Sequence, residues 1–182
     1  MLEECRNRDE LFAMVNEHCP DCIIMDIKMP GETPETLLGW LKENHSAISV
    51  LILTSHDLDE YLHKMAQAGA AGFICKSDAI HALPQALRDL ADGRLAFTLQ
   101  QQIRANEWYK KVGVVLKELS PREKEILTLL SKAAENAAIA HALQISEKTV
   151  AFHLTHIFEK LGVKSRLEAA IWAKDHLSDN LE

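Results

Sequence analysis

The sequence predicts two successive folds: a parallel α/β sheet in the first half of the chain and an all-helical unit in the second. Three observations carry this expectation. Short apolar runs, CIIMD (22–26), SVLILTS (49–55) and GFIC (72–75), alternate with helix-periodic segments, the pattern of parallel strands joined by crossover helices. Each run is apolar throughout, as in strands covered on both faces. Beyond residue 118 only helical signals remain, opened by two capping sequences.

Taken in order, RDELFAMVNEH (8–18) sets Leu11, Phe12 and Val15 at helical spacing, and the Cys-Pro-Asp segment at 19–21 stops that helix. A strand over 22–26 follows. Residues 34–44 predict a helix with Leu37, Leu38 and Leu41 inward. A second strand spans 49–55, a helix 57–68 ends on the cap Gly69, and a third strand is GFIC. Ser77-Asp78 is expected to cap a helix running toward Gly93 and kinked at Pro84. Residues 94–117 read as a partly helical linker in which Trp108 and Tyr109 are expected to pack between the domains rather than bind a ligand. This gives an α/β domain over 1–93 and a helical domain over 118–182.

In the helical part, Ser120-Pro121-Arg122-Glu123 is a capping box with Pro at the first helical position. Ile126, Leu127, Leu130 and Ala133 supply its apolar stripe. A short helix spans 137–143, Gln144-Ile145 turns, and Ser146 caps a helix that ends at Gly162. Ser165 to Glu168 is a second capping box opening a fourth helix. In the third helix Val150, Leu154, Ile157, Phe158 and Leu161 face the core. Lys148, Phe152, Thr155 and Glu159, flanked by Ala151 and His156, form the opposite stripe.

Composition bounds the function classes. At 47% hydrophobic and 26% charged residues the chain is globular. No apolar run approaches the roughly 20 residues of a membrane span, and MLEECRNRDE is too charged for a secretory leader. The four cysteines form no secreted disulfide framework, so a cytoplasmic protein without membrane partners is expected. Cys19 and Cys22 stand at CxxC spacing but lack a second pair. No Walker loop, dinucleotide glycine motif or catalytic Ser/His/Asp order is present, and an enzyme is not expected. The net charge of −7 is uneven: residues 119–182 hold 8 Lys+Arg and 9 Asp+Glu, leaving the first 118 residues at −6. That is little positive charge for a domain that neutralises phosphates.

Ligand sites of parallel α/β sheets lie at the carboxyl ends of the strands. Those ends carry Asp26, Thr54 and Lys76, bringing an acid, a hydroxyl and an amine to one rim. With Met29-Pro30 after the aspartate and Phe73 three residues before the lysine, the trio resembles the receiver domain of bacterial response regulators, a flavodoxin-like fold. LSPREKEIL (119–127), IAHAL (139–143) and ISEKTVAFHLTHIFEKLGVKSRLEA (145–169) are similar to the LuxR-type helix-turn-helix. The whole chain resembles a NarL/FixJ-type two-component transcription factor.

The resemblance implies a phosphoryl acceptor at Asp26, phosphoryl contacts from Thr54 and Lys76, and Phe73 as an aromatic that turns inward with Thr54. It implies Mg²⁺ held by Asp26, the backbone carbonyl of Lys28 and an acidic pair at the end of the first strand. That pair is missing. Glu3-Glu4 lies only 22 residues before Asp26, too few for the elements that should intervene. The receiver is therefore expected to be incomplete, to bind Mg²⁺ weakly, and to leave strand 22–26 as an apolar edge covered by a second copy or by the N-terminus. For the helical domain the resemblance implies double-stranded DNA as partner, with Ala151, Phe152 and Thr155 toward base edges and Lys148, Thr149, Lys164, Ser165 and Arg166 toward phosphates. The implied partners also include a second copy in a homodimer and a sensor histidine kinase. The competing reading is a degenerate regulator that acts by protein association without phosphotransfer.

Overall fold

The computed structural model describes residues 3–28 and 32–177. Met29 and Pro30 lie outside the described residues. The chain divides into two compact units, Met1–Tyr109 and Lys110–Glu182.

In the first unit the order is α1 (Arg8–His18), β1 (Cys22–Met25), α2 (Pro34–Asn44), β2 (Ser49–Thr54), α3 (Asp59–Ala68), β3 (Gly72–Cys75), α4 (Ala79–Ala91) and α5 (Leu99–Trp108). The strands form one parallel sheet in the order β1-β2-β3, with Met25 opposite Ile52 and Thr54 opposite Cys75. Alternate side chains leave opposite faces of a strand. Met25, Val50, Ile52 and Phe73 accordingly pack with α1, α2, α3 and Ala105 of α5, while Leu51 and Ile74 pack with Ala86 and Leu90 of α4. Several helix ends are set by residues that satisfy the backbone's orphan groups. Asn7 and Thr33 cap α1 and α2, and Gly69, at φ +104°, closes α3. Asp78 stands at the start of α4 but its side chain makes no capping bond, and α4 continues through Pro84.

Among the described residues no strand pairs with the outer edge of β1. Residues 3–7 do not adopt strand conformation there, although Cys5 packs against the core. Ile24 on this strand is 43% exposed, although Cys22, two residues before it, packs against the cluster that Ala86 and Leu90 of α4 form with Leu51 and Ile74. The far edge of the sheet is protected differently. Ala96 bridges to Gly72, and the Gln101 side chain donates to the Phe73 carbonyl at 2.9 Å. The bridge presses so close that a Cβ on Gly72 would sit 2.7 Å from both Ala96 Cβ and Leu51 Cδ1.

The segment expected as a linker is helical along most of its length and is shared between the units. Residues 99–108 form α5, which packs on α3. A π-helical turn at Tyr109–Gly113 leads into α6 (Val114–Glu118). The rings of Trp108 and Tyr109 lie against His63 of α3, at 5.4 and 4.8 Å between centroids.

The second unit continues with α7 (Pro121–Ser131), α8 (Asn136–Leu143), α9 (Glu147–Leu161) and α10 (Arg166–His176) around one core that includes Ile126, Leu127, Ile139, Val150, Ile157 and Ala173. The Ser120/Glu123 capping box is complete. The second box is modified. Glu168 reaches back to the amide of Lys164, at 2.9 Å, instead of that of Ser165. Ala133 does not extend the α7 stripe: the chain turns there with φ at +60° so that the Ala134 amide can bond Leu129 O.

Candidate functional site

Strand register assembles the first site. Asp26 follows β1 directly, Thr54 ends β2, and Lys76 follows β3, so three adjacent parallel strands deliver one polar group each to the same rim. Neighbouring strands lie about 4.8 Å apart, so two spacings separate the outer backbones, a gap that a lysine stem spans. Lys76 Nζ donates to Asp26 Oδ2 at 2.5 Å, and the Lys28 amide donates to Asp26 Oδ1 at 3.1 Å. Burial pushes the Asp26 carboxyl up. The Lys76 hydrogen bond and charge and the Lys28 and Ile27 amides outweigh this and hold it below the ordinary carboxylate range. Asp26 is therefore an anion at neutral pH, half-buried and open to an approaching electrophile.

Thr54 is fully buried, its hydroxyl accepts from the His56 amide at 3.0 Å, and its carbonyl accepts from the Lys76 amide at 2.7 Å. A hydroxyl that accepts still carries a hydrogen to donate. Phe73 is already buried in the core between the sheet and α5.

The residues present do not fit Mg²⁺. Such an ion takes several hard oxygens in octahedral geometry, and the trio provides one carboxylate whose oxygens already accept from Lys76 and Lys28. Glu3 pairs with His18, the last residue of α1, at 3.3 Å. Among the described residues no group of three His, Cys, Asp or Glu side chains is arranged to hold a metal. Cys19 and Cys22 form no disulfide.

The second site is the outer face of α9. Burying Val150, Leu154 and Ile157 turns Lys148, Ala151, Phe152, Thr155, His156 and Glu159 to solvent, and Phe152 is 63% exposed. Its ring meets His156 edge-on at 4.5 Å, and Thr155 Oγ1 donates to the Ala151 carbonyl at 3.1 Å. Thr149 is half-exposed and its hydroxyl shares a bond with the cap Ser146. The Lys164 side chain is exposed, and Ser165 Oγ bonds Glu168. Arg166 is half-buried: its guanidinium ties α10 to the start of α8 through Asn136 Oδ1 at 2.9 Å and the Ala134 carbonyl at 2.5 Å. This second task was not legible from its place in the motif. Missed altogether in the sequence were Gln101 and Arg104. Arg104 Nε donates to Asp59 Oδ1 at 2.7 Å, and its Nη1 donates to Asp57 Oδ2 at 3.1 Å.

Comparison with known proteins agrees with both halves. Residues 1–88 match the response regulator receiver domain, and residues 117–173 match the luxR family of bacterial regulatory proteins. The oxygen regulatory protein NreC of Staphylococcus epidermidis is 36% identical over 174 residues, which is 90% of this chain and 80% of that protein. The nitrate/nitrite response regulator protein NarL of Escherichia coli K12 is 30% identical over 178 residues, 94% and 82% of the two chains. A solved structure of two RcsB dimers bound to two parallel DNAs superposes with a TM-score of 0.59 at 25% identity, covering 96% of this chain and 83% of that one. The two-component response regulator RcsB in complex with DNA gives a TM-score of 0.55 at 26% identity, covering 89% and 78%. No helix among the described residues is long and apolar enough to cross a membrane. This chain belongs to the NarL/FixJ-type response regulators, which join a receiver domain to a luxR-family regulatory domain.

Proposed function

We propose that this chain is a two-component transcription regulator that accepts a phosphoryl group on Asp26 and binds double-stranded DNA through the outer face of α9. The observation that carries the first half is the Asp26–Lys76 pair at the carboxyl rim of three parallel strands. In the proposed reaction an Asp26 carboxylate oxygen attacks the phosphorus of a phosphohistidine on a sensor kinase, or of a small acyl phosphate. An O–P bond forms, the bond from phosphorus to the donor nitrogen or oxygen breaks, and its electron pair leaves with the donor. Such transfers need positioning and charge neutralisation more than covalent work from the protein. Lys76 offsets the charge arriving on the phosphoryl oxygens, and the Thr54 hydroxyl turns from the His56 amide to donate to one of them.

For the second half, α9 has the dimensions of a major-groove helix. Phe152 and Ala151 present apolar contacts suited to a thymine methyl, and Lys148 and Lys164 present cations to phosphates. RcsB is seen as dimers on DNA. The same assembly here lets two weak half-site contacts act together. The test is electrophoretic mobility shift of the full chain on a pool of genomic duplex fragments, before and after treatment with acetyl phosphate. The reading expects retained fragments whose yield rises on treatment and does not rise in Asp26→Asn. Failure of both treated and untreated protein to retain any duplex would overturn it.

A further inference from the structure

The helix α5 belongs by sequence position to the connection between the domains, yet it is fastened to two segments that border the rim. At its N-terminal end the Gln101 side chain is used at both ends. Its Oε1 accepts from the Thr98 amide at 2.9 Å while its Nε2 donates to the carbonyl of Phe73, on the strand that leads into Lys76, at 2.9 Å. One turn on, the Arg104 guanidinium holds Asp57 of the loop that leaves Thr54 and Asp59, the first residue of α3. It contacts Asp59 Oδ1 through Nε at 2.7 Å, and Asp57 through Oδ2 at 3.1 Å and the backbone carbonyl at 3.2 Å. The same loop is set at its other end by the His56 amide on Thr54 Oγ1. Asp57 is the residue directly after the His56 amide that makes that bond. Directly after Arg104, Ala105 is buried against the core that contains Phe73, Leu62 and Met65.

A single exposed ion pair contributes little, because water competes for both partners. Here one planar donor fork engages two side chains and a backbone carbonyl, so the geometry of the loop and the position of α5 specify each other. If the Thr54 hydroxyl leaves the His56 amide, the loop loses the bond that fixes residues 56–57, and Arg104 carries the displacement to α5.

We propose that α5 is a reader of the rim, coupled to Thr54 through Arg104 with Asp57 and Asp59, and to the Lys76 strand through Gln101. Gln101 and Arg104 are positioning residues; neither touches Asp26. Coupling between two sites acts in both directions, so it is measurable in the protein before any phosphoryl group is present. Its use as a phosphorylation signal rests on the function proposed above. The coupling itself does not.

The experiment is hydrogen–deuterium exchange of the full chain, read on peptides covering 54–58 and 99–108. Arg104→Gln is expected to speed exchange about tenfold at both peptides, the loss of a charge-assisted bond network. Thr54→Val is expected to speed exchange at 99–108 by a similar factor, Thr54→Ser to restore the wild-type rate, and the double variant to exceed neither single change. Exchange at 99–108 within about twofold of wild type in Thr54→Val, or full additivity in the double variant, overturns the proposal. If Thr54→Val unfolds the unit, which shows as loss of protection in 34–44 as well, Arg104→Gln decides alone: unchanged exchange at 54–58 overturns the proposal. A chain that takes no phosphoryl group on Asp26 contradicts the proposed function and leaves these exchange results standing.

Discussion

Replacing Glu123 by Gln removes one charge from the core of the second unit and leaves its shape. Glu123 is 5% exposed, accepts from the Ser120 amide at 2.7 Å and takes Lys160 Nζ on both oxygens at 2.8 and 2.7 Å. Hydrogen bonds to charged groups contribute about 1.5–3 kcal/mol. The Lys160 side chain is 33% exposed, so its ammonium regains water when the partner charge goes, and the lower end applies, about 1.5–2 kcal/mol. The glutamine oxygen still accepts from Ser120, which keeps the helix start. Burial pushes the Glu123 carboxyl up, but the Lys160 and Ser120 donors bring it below its usual range. A carboxyl whose folded value is depressed stabilises the fold above its unfolded value, about 4.3, and that stabilisation is lost as pH falls through the folded value. Urea unfolding, read by pulsed hydrogen exchange on peptides within 121–131 and 147–161, measures this. Glu123→Gln is expected to be less stable by the stated amount at pH 7, and the difference to shrink on acidification to about pH 3. Equal stability at pH 7, or a difference that acid does not reduce, refutes the reasoning.

Phe152→Ala removes an exposed ring that supports no core contact, so unfolding in urea is expected to shift by no more than about 0.5 kcal/mol while affinity for duplex in fluorescence anisotropy falls about tenfold. Because Lys148 and Lys164 are the cations exposed at this face, the slope of log affinity against log salt is expected to correspond to about two to four phosphates per half-site; a slope of eight or more contradicts the assignment of the face. Gly72→Ala forces a methyl into Leu51 and Ala96, and circular dichroism in urea is expected to record a loss of about 1–3 kcal/mol in the first unit.

The rim was legible because its chemistry sits where hydrophobic runs stop. CIIM, SVLIL and GFIC are unambiguous, and the next polar residues are Asp26, Thr54 and Lys76. The caps were legible for the same local reason. What escaped the sequence depends on distance along the chain. Arg104 meets Asp57 and Asp59 across more than forty residues, and α5 docks by the small Ala105 rather than by an apolar stripe, so its polar sequence reads as a connector. Glu123 advertised its capping role three residues from Ser120 but not its pairing with Lys160, 37 residues on. Ala133 continued the apolar periodicity of α7, and only the need to turn into α8 takes it out. Arg166 sits within the motif, where its task of tying α8 to α10 has no local signal.

Intact-mass spectrometry of the full chain after incubation with acetyl phosphate tests the assignment of Asp26 most directly. A gain of one phosphoryl group is expected, which disappears in Asp26→Asn and falls sharply in Lys76→Met. No gain in the wild-type chain, or a gain that survives Asp26→Asn, would contradict it.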